Sequence, residues 1–167
     1  MQVGAGLDPE SQMGPVANER RLHAIEELVE DAVHAGARLK AGGRRGHEKG
    51  NFWRPTLIAD VPSSAKAMQV EPFGPLALAS RFSTVEQGIT EANRLPYGLA
   101  SYAFTRSAST ANTVGDELRA GGVGINTFAV SQIEAPFGGL KDSGYGNEGG
   151  HEGLDAFTHP KYVHHVT

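Results

Sequence analysis

The residues best suited to shape a site lie in two short turns, Glu71-Pro72-Phe73-Gly74-Pro75 and, far downstream, Ala135-Pro136-Phe137-Gly138-Gly139. Each sets an aromatic ring between a proline and a glycine. Proline fixes φ near about −65°, and glycine admits left-handed backbone and lets another group approach the main chain. A ring on so stiff a mount is suited to line a pocket, although either turn alone is also an ordinary loop pattern. Other constellations carry less. Gly144-Tyr145-Gly146-Asn147-Glu148-Gly149 spells G-x-G-x-x-G, but Lys141-Asp142-Ser143 stands where a strand should precede it, and too little chain follows for a helix and an acidic partner. It reads as a loop. His151, His159, His164 and His165 read as solvated or packed side chains rather than metal ligands, since neighbours such as His164 and His165 would face opposite sides of a strand.

The elements that must hold the two turns follow from periodicity. Asn18 as N-cap and Gly36 just past the end bracket an amphipathic helix with Leu22, Ile25, Val29, Ala32 and Val33 on one face. Strands are expected at Ala37–Ala41 and, despite Pro55, at Phe52–Ala59, with a glycine- and charge-rich loop over Gly42–Gly50 between them. A short helical piece near Ser64–Gln69 leads to the first turn, and Leu76–Phe82 reads as a buried strand. Thr84 and Gln87 form a capping box for a helix whose apolar face is Val85, Ile89 and Ala92. Leu99–Thr105 reads as a strand, Ser107–Leu118 as a helix and Val123–Asn126 as a strand, and the second turn follows in a long loop. A helical turn at Gly153–Phe157 and a strand at Tyr162–Val166 close the chain. Strands alternating with helices predict an α/β fold with a largely parallel sheet and flanking helices, whose ligands sit at the carboxyl ends of strands.

Composition bounds the function. The 167 residues fit one domain with a real core, and 39% hydrophobic and 20% charged residues are ordinary for a globular protein. A net charge of −4 argues against nucleic acid as the main partner. No apolar run is long enough for a membrane span, and Met1–Gly6 has neither basic head nor apolar core, so a cytoplasmic protein with no membrane partner is expected. There is no cysteine, which excludes disulfides, thiolate metal sites and a cysteine nucleophile from these residues.

An ordered series of motifs closely resembles the aldehyde dehydrogenase superfamily. It runs through Met13-Gly14-Pro15, Gly50-Asn51-Phe52-Trp53-Arg54-Pro55-Thr56-Leu57, Glu71-Pro72-Phe73-Gly74-Pro75 and Asn93 with Tyr97-Gly98-Leu99-Ala100. It continues through Gly124-Ile125-Asn126, Pro136-Phe137-Gly138-Gly139-Leu140-Lys141, Ser143-Gly144 and Gly146-Asn147-Glu148-Gly149. Order and spacing agree from about Gly6 to Val166. The resemblance covers only the C-terminal part of the family's enzymes. The dinucleotide-binding domain, the glutamate base, the oxyanion-hole asparagine and the catalytic cysteine lie upstream of it. In the family that cysteine forms a thiohemiacetal with the aldehyde, hydride passes to NAD(P)+, and water hydrolyses the thioester. Neither Ser131 nor Ser143 is expected to replace it, because no base is placed to activate a hydroxyl.

The resemblance implies roles for single residues. Glu71 would bind the nicotinamide-ribose hydroxyls, as a carboxylate can accept from two vicinal hydroxyls at once, and Phe73 would pack beside the nicotinamide end. Phe137 would line the aldehyde channel. The segment Phe128–Glu134 is similar to the substrate loop of succinate-semialdehyde dehydrogenases, in which Ser131 would bind the substrate's distal carboxylate. Asn126 and Gly138-Gly139 would shape the loop, Lys141 reads as a solvated lysine before an anion-steering one, and Arg21 lies where the family sometimes contacts the ribose. Asn147 departs from the family's usual arginine.

These implications define the expectations. Residues 1–160 would form a partial aldehyde dehydrogenase catalytic domain, and residues 161–167 a C-terminal oligomerisation strand that joins a neighbouring subunit's sheet. The activity would be NAD- or NADP-dependent oxidation of a small aldehyde, a semialdehyde acid such as succinate or 2-oxoglutarate semialdehyde, with no catalytic or metal-binding residue in this chain and only part of the cofactor site. As a truncated, split or excised protein it would be inactive alone, would pair with a subunit carrying the N-terminal cofactor domain, and would form a homo-oligomer. The alternative is a non-catalytic assembly module derived from the family. An adjacent upstream reading frame encoding the cofactor domain and cysteine would favour the split enzyme.

Overall fold

The structure, a computed structural model, describes residues 1–47 and 49–167; Glu48, in the loop expected over Gly42–Gly50, lies outside them. The chain divides into two compact units, Met1–Arg81 and Phe82–Thr167.

The first unit is built on helix α1, Glu19–His34. It starts where expected because Asn18 is extended and its side-chain oxygen accepts from the Arg21 N–H at 2.9 Å, satisfying a donor the helix cannot. It stops before Gly36, whose φ of +97° a side chain would resist. Leu22, Ile25, Val29 and Ala32 form one buried stripe, packed with Trp53, Ile58, Val61 and Ala65. Strand β1 (Arg38–Ala41) pairs antiparallel with β2 (Thr56–Ala59), and β2 pairs parallel with β3 (Leu76–Ala79). The strand expected from Phe52 begins only at Thr56, because Pro55 has no N–H to give a ladder. β3 is shorter than expected and alternates half-buried with exposed residues, so it is an edge strand covered on one face rather than a buried one. A 3-10 turn at Lys66–Met68 stands for the short helix, tied to α1 by the Lys66 N–H donating to the Asp31 carboxylate at 2.7 Å.

The second unit opens with α2, Val85–Ala92. Thr84 accepts from the Gln87 N–H at 3.2 Å, while the Gln87 carbonyl reaches past the cap to the Ser83 N–H at 2.8 Å, a capping box widened by one residue. The strand expected at Leu99–Thr105 is β5 (Ala100–Ala103), and a two-residue strand β4 (Tyr97–Gly98) precedes it. Helix α3, Ala108–Glu117, is capped by the Ser107 hydroxyl and leads to β6, Gly122–Ile125, parallel to β5. β7, Leu140–Lys141, returns antiparallel to β4, and a 3-10 turn spans Glu152–Phe157. The strand expected at Tyr162–Val166 forms no ladder among the described residues.

The α/β content is as expected, but one largely parallel sheet is not what the described residues form. They form three small sheets, with β2–β3 and β5–β6 parallel and β1–β2 and β4–β7 antiparallel. The ladders are short for a local reason: β2 is followed by left-handed Asp60, β6 by left-handed Asn126, and β7 ends on left-handed Lys141. Among the described residues no helix is long and apolar enough to cross a membrane.

Candidate functional site

In the first unit, the Glu71–Pro75 turn is anchored by the backbone of buried Thr56. Thr56 Oγ accepts from Trp53 Nε1 at 2.9 Å and from the Gly43 N–H at 2.8 Å, and donates to the Arg54 carbonyl at 2.7 Å. With the Thr56 side chain saturated, its N–H takes the Pro75 carbonyl at 2.9 Å and anchors the turn's end. The Phe73 N–H donates to the Glu71 carbonyl at 3.0 Å, and Gly74 lies so close to α1 that a Cβ there would strike Ile25. The Phe73 ring, 65% exposed, lies 5.6 Å from the Arg21 guanidinium in a cation–π contact. Val16, Ala17, Asn18, Arg20, Arg21, Phe73 and Gly74 line an open hollow of about 490 Å³. The Glu71 carboxylate is exposed and has no hydrogen bond or ion pair among the described residues. A free carboxylate two residues from an exposed ring fits a group that offers vicinal hydroxyls and a flat heterocycle. Arg21 thus joins Phe73 at the hollow.

In the second unit, Ser131 and Phe137 belong to one long loop between β6 and β7. Phe137 is half-buried and pinned by reciprocal backbone bonds with Glu148, at 2.7 and 2.8 Å. Ser131 is exposed, and its hydroxyl has no partner among the described residues. Asn126 opens the loop with φ +56° and holds both polar groups of Thr105, accepting from its N–H at 2.9 Å and donating to its carbonyl at 3.0 Å. A Cβ on Gly138 would meet the Asn147 side chain and the Gly146 carbonyl, and one on Gly139 would meet Ser143. These residues shape the loop, as read from the sequence. Lys141, read as a solvated lysine, is exposed but engaged: its ammonium donates to the carbonyls of Asn93, Leu95 and Tyr97 at 3.2, 2.9 and 3.5 Å. Gly144, Gly146 and Gly149 all have positive φ in a loop, so the G-x-G-x-x-G segment opens no helix.

Two features escaped the sequence reading. Phe128 packs at a tilt against Tyr102 and Phe104 at 5.3 and 5.0 Å, an exposed aromatic group that the alternation of Tyr102 in β5 and Phe104 just after it could have signalled. Asn93 and Ser143 bind backbone across the unit, through Glu117, Arg119 and Gly98, and no local pattern announces that. Among the described residues no group of three His, Cys, Asp or Glu side chains could hold a metal.

Two stiff aromatic turns thus stand on small α/β units, one beside a free carboxylate and one in a glycine-pinned loop. The chain belongs to the aldehyde dehydrogenase family, whose model matches residues 1–163. It is 49% identical over 166 residues to a 4-(hydroxymethyl)benzenesulfonate dehydrogenase of Comamonas testosteroni, covering 99% of this chain and 34% of that protein. It is 41% identical over 163 residues to the NADP+ succinate-semialdehyde dehydrogenase of Escherichia coli K12, covering 98% of this chain and 34% of that protein. A crystal structure of an NADP-dependent enzyme from E. coli superposes with a TM-score of 0.90 at 42% identity, over 93% of this chain and 32% of the other. The chain therefore spans about a third of the length of the relatives it matches.

Proposed function

We propose that the chain forms the C-terminal part of an NAD- or NADP-dependent aldehyde dehydrogenase that oxidises an aldehyde bearing a remote anionic group, succinate semialdehyde or a related semialdehyde acid, to the carboxylate. The observation that carries this reading is the free Glu71 carboxylate beside the exposed Phe73 ring, on a turn anchored by Thr56 in a chain of this family. When bound, the nicotinamide cofactor would accept the hydride. Glu71 would hold its ribose hydroxyls, and Phe73, backed by the Arg21 guanidinium, would limit where the ring can lie. The unpartnered Ser131 hydroxyl would donate to the substrate's distal anion, with Phe137 forming a wall of the same loop. The names of the relatives support the remote anion: succinate semialdehyde carries a carboxylate, and 4-(hydroxymethyl)benzenesulfonate, an alcohol, a sulfonate.

The 167 residues contain no cysteine, so by themselves they would oxidise no aldehyde. The reading places the enzyme in the cytoplasm, with the nucleophile and the rest of the cofactor site supplied by a preceding N-terminal portion. Residues 1–160 would act as the catalytic-domain part, and 161–167 as a strand added to a neighbouring subunit's sheet; Tyr162–Val166, unladdered among the described residues, is suited to that. The same segment favours the second reading, an assembly module without activity.

One chimera separates the two. The chain replaces its 41%-identical counterpart in the E. coli succinate-semialdehyde dehydrogenase. The chimera is expected to reduce NADP+ with succinate semialdehyde while the isolated chain does not. Glu71→Ala is expected to raise the cofactor KM about tenfold, and Ser131→Ala to raise KM about fivefold for acidic aldehydes but not for neutral ones. A folded, assembled and inactive chimera leaves the assembly module as the answer.

A further inference from the structure

We infer that Lys141 is a positioning residue for the loop that carries Ser131 and Phe137, acting through three backbone carbonyls rather than on substrate. The inference rests on the reading of that loop as the aldehyde-binding one. The Lys141 ammonium has three N–H donors, and the carbonyls of Asn93, Leu95 and Tyr97 take them at 3.2, 2.9 and 3.5 Å. Asn93 is the C-cap of α2, so the positive charge sits where helix carbonyls are left without N–H partners and carry partial negative charge.

The rest of the loop's base is tied to the same bend. The Asp142 N–H donates to the Pro96 carbonyl at 2.8 Å, and the Ser143 hydroxyl accepts from the Gly98 N–H at 2.9 Å. Asn93 carries the tie onward, donating to the Glu117 carbonyl and accepting from the Arg119 N–H, both at 2.8 Å. The loop is thus fastened at its start by Asn126 and at its end by Lys141. Lys141 itself has a φ of +56°, a left-handed conformation that is strained for a non-glycine residue and persists where the surroundings impose it. A glycine would relieve that strain but would lose the three carbonyl contacts. Between the two fastenings the fit leaves no slack: the Gly138 carbonyl is pressed against Gly121, and a Cβ on Gly121 would collide with it. A shift at Lys141 therefore moves Gly138 and, one residue before it, Phe137.

The test has two arms. In the 167-residue chain, Lys141→Met is expected to speed amide exchange at Gly98, Phe137 and Asp142 by about tenfold or more, with the amides of α1 and α3 unchanged. Because the chain has no other cysteine, Lys141→Cys can be aminoethylated at that position alone, restoring an ammonium of nearly lysine length; exchange is expected to slow again. Lys141→Gln gives the same readout should Lys141→Met fail to fold. In the chimera, Lys141→Met is expected to raise the aldehyde KM about fivefold, with kcat within about twofold and the cofactor KM unchanged. Lys141→Arg should not restore it, since a planar guanidinium cannot converge on three carbonyls as an ammonium does. Unchanged exchange, exchange raised evenly through residues 82–167, no rescue on aminoethylation, or an unmoved aldehyde KM each overturns the inference. An inactive parent chimera counts against the proposed function alone and leaves the exchange arm to decide this one.

Discussion

The two units solve the problem of holding an aromatic turn in opposite ways. In Met1–Arg81 the turn rests on a dry core: Leu22, Ile25, Ala32, Trp53 and Ile58 are almost wholly excluded from water, and Gly74 is pressed onto Ile25. Among the described hydrophobic side chains of Phe82–Thr167 only Ile89 and Val114 are buried, at 6% and 7% exposure, while Phe82, Phe104 and Phe128 remain more than half exposed. That unit is fastened instead by side chains that bind backbone, Asn93, Asn126, Lys141 and Ser143, and by glycines that let main chain touch main chain. Apolar burial is non-directional and tolerates small shifts, whereas a backbone latch fails when one atom is lost. A core gives stability, and a latch gives placement.

Substitutions can break or sharpen that contrast. The largest effect is expected for Trp53→Ala, which empties the centre of the first core and removes a bond to Thr56; a loss of about 4 kcal/mol should appear in urea unfolding. Next is Gly121→Ala, whose Cβ has nowhere to go but into the Gly138 carbonyl; a loss of about 2 kcal/mol is expected in amide exchange of β5 and β6. Asn126→Ala removes two hydrogen bonds and leaves alanine left-handed, for about 1–2 kcal/mol, and Asn126→Gly should recover only the backbone part. If Trp53→Ala costs no more than Asn126→Ala, the contrast between core and latch is wrong.

The smallest effect concerns pH. The hydrogen bond from Arg38 holds the Asp60 carboxyl below its ordinary range, and the charges of Arg38, Arg81 and Lys40 act in the same direction. A carboxyl lowered in the folded state adds stability above its unfolded pKa, and that contribution is lost as pH falls through the lowered value. Acid titration of unfolding should show this loss, and Asp60→Asn should abolish it. Because the pair is exposed, salt should weaken the effect.

Helix α1 was legible to its caps, because Asn18, Gly36 and the spacing of Leu22, Ile25 and Val29 are local signals that tertiary structure reinforced. Strand lengths were less so: Pro55 outweighed the alternation around it, and β3 lies at an edge that a short apolar run cannot announce. The pairing of β4 with β7 joins segments far apart in sequence, and the threefold engagement of Lys141 depends on that pairing. No reading of Lys141 from its neighbours could find it. Of the residues singled out by the motif series, Glu71, Phe73 and Ser131 are exposed and Phe137 is half-buried.

The placement of Trp53 has a practical consequence. It is the chain's one tryptophan and lies wholly inside the first unit, whereas Tyr97, Tyr102, Tyr145 and Tyr162 all belong to the second. Nature has labelled the halves with different chromophores. Red-edge excitation of the indole reports the first core alone, and tyrosine absorbance reports the second. Whether the units melt together or one at a time can be read from the unmodified protein, with no probe attached.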